Sequence, residues 1–283
     1  MSEMIINRVI SKIKRSIVAC LPKHCVKVPV RIPVLEGALL RNRKILVTGG
    51  TSGIGLAMAK AFIRNGANVV ITGRSNERIE SALSLLGPNA NGIVLDNVDV
   101  ESFADKVDEC VHKFGLPDVL VNNAGLTLWE SFGSANVANY DIIMDTNLRG
   151  AFFLSQEVSN IWKEGGVHGN ILNVGSSSSL RPGNSPYVLS KWGIRSLTVG
   201  LAKELIRHGI VVNGIAPGPT ATSLFVGDGK NGINRQSNPS GRLVTEDEVA
   251  NLAVVLVSDL GRMVVGDMLF VTGGAGVITV DDV

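Results

Sequence analysis

KILVTGGTSGIG, residues 44–55, is the stretch that decides the fold. Ile45, Leu46 and Val47 form a short apolar run that ends in Gly49 and Gly50, as a strand buried on both faces does. Residues 53–65 then read as a helix. Gly49, Gly53 and Gly55 permit a tight turn, close approach of backbone to a pyrophosphate, and close packing of helix on strand. Thr51, Ser52 and Ile54 complete the turn, and the helix that starts there offers free N–H groups to an anion. A glycine turn alone is a weak signal. Between the first strand and first helix of an alternating chain it points to a dinucleotide site.

Working outward, the alternation holds. Apolar strand runs follow in ANVVITGR, GIVLD, DVLVNNAG, GNILNVGS, GIVVNGIAPG and DMLFVTGG. Helical stretches near residues 76–86, 99–114, 135–163, 186–207 and 245–258 separate them. This pattern predicts an α/β doubly wound parallel sheet, a Rossmann fold, as one domain over residues 44–283. Residues 223–242 are rich in Gly, Asn and Ser without periodicity, which predicts a mobile loop placed to serve as a substrate lid.

Residues 1–43 form an extension of different character. Residues 1–44 hold ten Lys/Arg and two Asp/Glu, whereas the whole chain of 283 residues carries a net charge of only +2. That overall balance gives no case for nucleic acid. Ile6, Val9, Ile10, Ile13 and Ile17 recur at helical spacing among the basic residues, which predicts a basic amphipathic helix over residues 4–19. It either packs on the protein itself or a neighbouring subunit, or attaches residues 1–20 to an anionic membrane surface or a partner protein. Pro22, Pro29 and Pro33 mark residues 20–43 as an extended linker. Cys20, Cys25 and Cys110 form no C-x-x-C pair and read as free thiols of a cytoplasmic protein. Cys20, His24 and Cys25 have no further ligand cluster to complete a metal site.

The second strand ends in Thr72-Gly73-Arg74, where a dinucleotide site often places a carboxylate for the ribose hydroxyls. The missing carboxylate removes repulsion against a 2′-phosphate, and Arg74 can pair with one. NADP (NADPH) is therefore favoured over NAD; otherwise Arg74 is a solvated loop residue. Tyr187 and Lys191 lie four apart in SPYVLSKWG and share one helix face. A free phenol has a pKa near ~10, and a fixed cation beside it favours phenolate.

Taken in order, TGGTSGIG at 48–55, NNAG at 122–125, Asn147 in MDTNLRG, a serine in NVGSSSS, Tyr187-x-x-x-Lys191 and Pro217-Gly218 resemble the short-chain dehydrogenase/reductase family. The likeness is to its single-domain branch and to carbonyl reductases of the 3-oxoacyl-acyl-carrier-protein reductase kind, and it covers about residues 43–276. The resemblance implies Tyr187 as general acid or base, with Lys191 lowering its pKa and binding the nicotinamide ribose. It implies Ser176 as hydrogen-bond donor to the substrate oxygen and Asn147 as holder of a water in a proton relay. Tyr187 lies eleven positions beyond Ser176, slightly fewer than in the family, and Ser177 or Ser178 can take the serine's place. Asp96 and Asn97 match the pair at the adenine, with Asp99 as the N-cap of the next helix. Asn123, Ala124 and Gly125 match the lining of the adenosine ribose. Pro217, Gly218 and Thr222 match the segment at the carboxamide. Trp192, beside the active-site lysine, departs from the small residue often found there. Phe153 replaces an arginine of the carrier-protein reductases, and Lys203 remains basic.

The resulting expectation is an NADP(H)-dependent oxidoreductase of a small-molecule carbonyl or alcohol. By the same resemblance it is a homodimer or homotetramer built on the helices near 135–163 and 186–207. The alternative is an NADP(H)-binding sensor or scaffold located by its basic helix. Thr127, Leu128, Trp129, Arg181, Pro182 and Asn184 are the candidates for the substrate pocket.

Overall fold

In the computed structural model, which describes residues 37–222 and 233–278, Lys44–Val47 is strand β1. The helix α1 (Gly53–Arg64) follows, then β2 (Asn68–Gly73), α2 (Asn76–Leu86) and β3 (Ala90–Val94). The chain continues through α3 (Phe103–Phe114), β4 (Val119–Asn122), α4 (Val137–Met144), α5 (Gly150–Gly165) and β5 (Asn170–Val174). It closes with α6 (Pro186–Leu205), β6 (Val211–Pro217), α7 (Glu246–Val257) and β7 (Met268–Val271). Every strand pair is parallel, in the order β3-β2-β1-β4-β5-β6-β7. The order reverses between β1 and β4, and in such sheets ligands bind beyond the strand C-termini at that crevice.

Strand residues alternate between two apolar layers. Ile45, Val47, Val69, Ile71, Val119 and Val121 join Met58 and Phe62 of α1 and Val249 and Val254 of α7. Leu46, Val70, Leu120 and Ile171 face the other way, toward Phe103 and Val107 of α3, Leu154 and Trp162 of α5, and Leu205 of α6. A buried polar ladder crosses this second layer. Asn122 Nδ2 donates to Ser155 Oγ (2.8 Å) and Asn173 Oδ1 (2.8 Å), and Asn173 Nδ2 donates to Thr198 Oγ1 (3.0 Å).

Three expectations change. Residues 37–43 belong to the body rather than to a linker. Leu40 is fully buried in the core, and Arg43 pairs with Asp118 at 2.8 Å and Asp259 at 2.7 Å. The span 135–163 is two helices joined by a π-turn at Asp145–Arg149. Residues 233–242 are fastened: Asn238 is buried and donates to the Arg242 carbonyl, and the Ser240 N–H donates to Gly273 O at 3.0 Å. Residues 223–232 of the proposed lid lie outside the described residues. So do the helix predicted over 4–19 and Cys20, His24 and Cys25.

Candidate active site

A cleft of about 820 Å³ opens at the C-terminal ends of the strands, within the range of ordinary ligand pockets. Gly49, Thr51, Ser52, Ile54, Gly55, Arg74, Asp96, Asn97, Asn123, Ala124, Gly125, Ser176, Tyr187, Lys191, Pro217, Gly218 and Thr222 all line it. Gly53 and Asn147, also expected at the site, are not among its lining residues. Ser75, Arg78, Thr146 and Thr220 line it without having been singled out. Arg78 lies four residues beyond Arg74 at the start of α2, a helical spacing legible in the sequence. Ser75 caps that helix by accepting the Arg78 N–H.

At one end the glycine turn is held by Thr48, which is fully buried. Its Oγ1 accepts N–H bonds from Asn123 and Ala124, each 3.0 Å, and donates to Val121 O. Asn123 Nδ2 donates to the carbonyls of Thr48 (2.9 Å) and Gly49 (3.1 Å). Gly49 and Gly53 have φ of +62° and +56°, values that favour glycine. A Cβ at Gly55 would fall on Asn123 Nδ2, so that glycine serves helix–loop packing.

These residues fit a dinucleotide. The N-cap of α1, Ser52, makes no side-chain capping bond, and no acidic residue stands in the first turn. The first N–H groups of α1 are thus left for an external anion. Arg74 and Arg78 form no ion pair among the described residues. Asp96 turns its carboxylate to the Val98 N–H at 3.1 Å. Asp99 is the N-cap of a short 3₁₀ turn and makes no side-chain cap.

At the other end, the start of α6 faces the end of β5. Ser185 caps α6, and Pro186 opens it. Lys191 Nζ, buried, donates to Val174 O at 3.0 Å and lies 5.8 Å from the Tyr187 ring centroid. Burial pushes Tyr187 up from 10.0, and the hydrogen bond with the Ser176 hydroxyl acts the other way. The direction is opposite to the lowering by Lys191 that the family likeness implies: desolvation of the phenolate is the larger cause, and it is the Ser176 hydrogen bond that opposes it. Burial also brings Lys191 down to about 8. Among the three adjacent serines, Ser176 lines the cleft and meets Tyr187, while Ser177 and Ser178 do not line it.

Asn147 sits in the π-turn, buried, with both amide hydrogens engaged. They go to Leu126 O (3.0 Å) and Ser190 Oγ (3.0 Å), while Oδ1 accepts the Leu126 N–H at 2.8 Å. Ser190 in turn donates to Tyr187 O at 2.7 Å. A Cβ at Gly125 would stand 3.2 Å from Asn147 Oδ1 and 3.5 Å from Lys191 Nζ, so this glycine keeps the space between them open. No group of three or more metal-ligating side chains occurs among the described residues, and no helix there is long and apolar enough to cross a membrane.

The sheet order, the switch-point cleft and the glycine turn define a dinucleotide-binding α/β oxidoreductase. Comparison with known proteins narrows this. A family model described as Enoyl-(Acyl carrier protein) reductase matches residues 49–276. The 3alpha-hydroxysteroid dehydrogenase of Mediterraneibacter gnavus is 35% identical over 84% of this chain and 98% of its own. The gluconate 5-dehydrogenase of Gluconobacter oxydans is 35% identical over 83% and 95%. The 3-oxoacyl-(acyl-carrier-protein) reductase FabG of Escherichia coli is 33% identical over 81% and 95%. A crystal structure of a short chain dehydrogenase from Bacillus anthracis superposes with a TM-score of 0.75 at 33% identity, covering 82% of this chain and 95% of that one. The chain belongs to the short-chain dehydrogenase/reductase family. It is an oxidoreductase of hydroxyl and carbonyl groups that works with a nicotinamide cofactor.

Proposed function

We propose that the protein is an NADP(H)-dependent carbonyl reductase or secondary-alcohol dehydrogenase in which Tyr187, Ser176, Lys191 and Asn147 form the catalytic group. The observation that carries this reading is that Tyr187, Ser176 and Lys191 line the same cleft as the glycine turn, with Ser176 hydrogen-bonded to Tyr187 and Lys191 beside its ring. The bound nicotinamide supplies or takes up the hydride at the substrate carbon. Tyr187 gives its proton to the carbonyl oxygen, or takes it back from the alcohol. Ser176 donates a hydrogen bond to the same oxygen and steadies the charge that develops there. Lys191, one N–H engaged by Val174 O, has two left for ribose hydroxyls and for proton return to Tyr187. Asn147 spends its donors on the Leu126 carbonyl and the Ser190 hydroxyl, so its part is to hold the Leu126 backbone and the Ser190 side chain in place; its Oδ1 keeps one acceptor site facing the space beside Gly125.

Arg74, with Arg78 beside it, supports the preference for a 2′-phosphate. Gly49, Thr51, Ser52, Ile54 and Gly55 would hold the pyrophosphate, Gly53 shaping their turn. Asp96 and Asn97 would meet the adenine, Asn123, Ala124 and Gly125 the adenosine ribose, and Pro217, Gly218 and Thr222 the carboxamide. Exposed Tyr140, Phe152 and Phe153 on α4 and α5 support a homodimer or homotetramer contact there. The basic residues 1–20 would bring this cytoplasmic enzyme to an anionic membrane surface or a partner protein.

The test is loss of reduced-nicotinamide absorbance with a 3-oxosteroid, 5-oxogluconate and a 3-oxoacyl thioester, NADPH against NADH, native protein against Tyr187→Phe. The reading expects turnover with at least one substrate, faster with NADPH, and at least a 100-fold loss in Tyr187→Phe on the order expected for general acid–base catalysis. Tight cofactor binding without turnover of any carbonyl would favour a sensor or scaffold. Undiminished Tyr187→Phe would refute the catalytic assignment.

A further inference from the structure

Ser176 and Tyr187 sit on different elements, and the chain between them does not hold them together. The path runs through residues 181–184, all exposed. Their separation is instead bridged by side chains of α6. Lys191 Nζ reaches the Val174 carbonyl just before Ser176. Trp192 Nε1 donates to Arg181 O at 2.7 Å, and Arg195 Nη1 donates to Ser179 O at 3.1 Å. Those two carbonyls flank the C-terminal end of the 3₁₀ turn Ser177–Leu180.

The turn passes the constraint back to Ser176. Ser179 donates through both its N–H (3.0 Å) and its hydroxyl (2.8 Å) to Ser176 O, and the Ser178 N–H donates to Ser176 Oγ at 3.1 Å. Arg195 makes no ion pair among the described residues. Its guanidinium lies over two aromatic rings, 5.3 Å from the Trp192 centroid and 5.4 Å from that of Phe270 in β7. A planar cation held by two rings has fewer directions in which to aim its donors. Trp192 is thus more than a bulky departure from a small residue: its ring seats Arg195 and its N–H holds the far end of the serine turn.

We propose that Trp192 and Arg195 are positioning residues, a strut from α6 that sets where the Ser176 hydroxyl stands relative to the Tyr187 phenol. The inference rests on the reading of Ser176 and Tyr187 given above, because that separation matters only if both meet the substrate oxygen. Misplacement of reacting groups by an ångström can cost about 100-fold in rate.

Tyr187 can be watched directly, since the chain has only two tyrosines. Isotope-labelled tyrosine gives two ring resonances by NMR, and Tyr140→Phe assigns them. Arg195→Met should move the Tyr187 resonance in the same direction as Ser176→Ala, and should move it no further in a Ser176→Ala background. Arg195→Lys should restore part of the wild-type position. Trp192→Phe keeps a ring face and loses the donor; it should give a smaller shift in the same sense, and it serves if Arg195→Met does not fold. On a carbonyl substrate found as above, Arg195→Met should lower kcat about 10-fold, a fraction of the full misplacement penalty, with the Kd for NADPH within about twofold. If Ser176→Ala moves Tyr187 but neither strut variant does, or if their effects add in full to Ser176→Ala, the strut is overturned and the catalytic reading stands. If Ser176→Ala itself leaves Tyr187 and kcat unchanged, the reading of Ser176 fails and the strut with it.

Discussion

Thr48→Val tests how the cofactor end is assembled. The two side chains are nearly the same shape, so the buried site keeps its volume while the hydroxyl is lost. Two N–H groups end at that oxygen, and they are not equivalent. The Asn123 N–H is shared with Val121 O at 3.1 Å and keeps a partner. The Ala124 N–H, 3.0 Å from Thr48 Oγ1, has no other bond among the described residues. One orphaned donor costs about 1–3 kcal/mol, and the weakened shared bond adds about 1 kcal/mol. The sum, roughly 2–4 kcal/mol, lowers the thermal midpoint of a domain this size by roughly 5–15 °C. Thr48→Ser keeps the hydroxyl and removes one buried methyl, worth about 1 kcal/mol. Calorimetry on the cofactor-free protein should therefore rank native above Ser above Val. Calorimetric titration should also find NADPH binding weakened in Val more than in Ser, because the turn and the Asn123–Ala124 segment lose their common anchor. A Val variant melting within about 2 °C of Ser would refute the reasoning.

Other outcomes follow from the same contacts. Burial holds Lys191 at about 8 against an ordinary 10.5, so between those values the folded chain binds fewer protons than the unfolded chain and stability rises with pH. Lys191→Met should abolish turnover yet stabilise the protein near pH ~7, by on the order of 3 kcal/mol before the lost Val174 bond is counted. The gain should shrink as pH climbs from about 8, and melting scans across pH that find Met the less stable form at pH ~7 would contradict this. Hydrogen bonds from Arg242, then from the Thr245 backbone, hold Glu248 down to about 2 from 4.5. Its contribution is whole above 4.5 and is lost as pH falls toward 2; Glu248→Gln should remove that acid limb and leave a small, salt-sensitive loss at neutral pH. Gly125→Ala should close the space between Asn147 Oδ1 and Lys191 Nζ, lowering kcat about 10-fold or more; kcat equal to wild type would show that the space plays no part. Deleting residues 1–20 should abolish cosedimentation with anionic vesicles and leave turnover intact, and unchanged cosedimentation would dismiss the tether.

The strands were legible because burial on both faces writes continuous apolar runs, and Gly, Asn and Pro punctuate their ends. The start of the body was not. Leu40 and Arg43 lie among prolines and basic residues, and their partners Asn65, Asp118 and Asp259 are distant in sequence. The π-turn at Asp145–Arg149 was also hidden, because its sequence DTNLR contains no Gly or Pro to mark a break in the helical run. The residues of the cleft wall were visible as motifs, yet what each side chain does depends on its surroundings. Asn147 spends both donors on the Leu126 carbonyl and the Ser190 hydroxyl, and Tyr187 is governed by burial. The spacing of Tyr187 and Lys191 showed that they share a face, and could not show how dry that face is.

The asparagine ladder beneath the cleft has a further consequence. Two helices resting on a sheet through apolar contact alone can slide by a fraction of a turn at little cost. Asn122, Ser155, Asn173 and Thr198 are directional and buried, so α5 and α6 have one seating, as a key has one depth in its lock. Tyr187 and Lys191 lie on α6, so that seating places them as well. On the proposed reading the reacting groups take their position from this ladder, and exposed residues such as Leu128 and Pro182 can change selectivity separately.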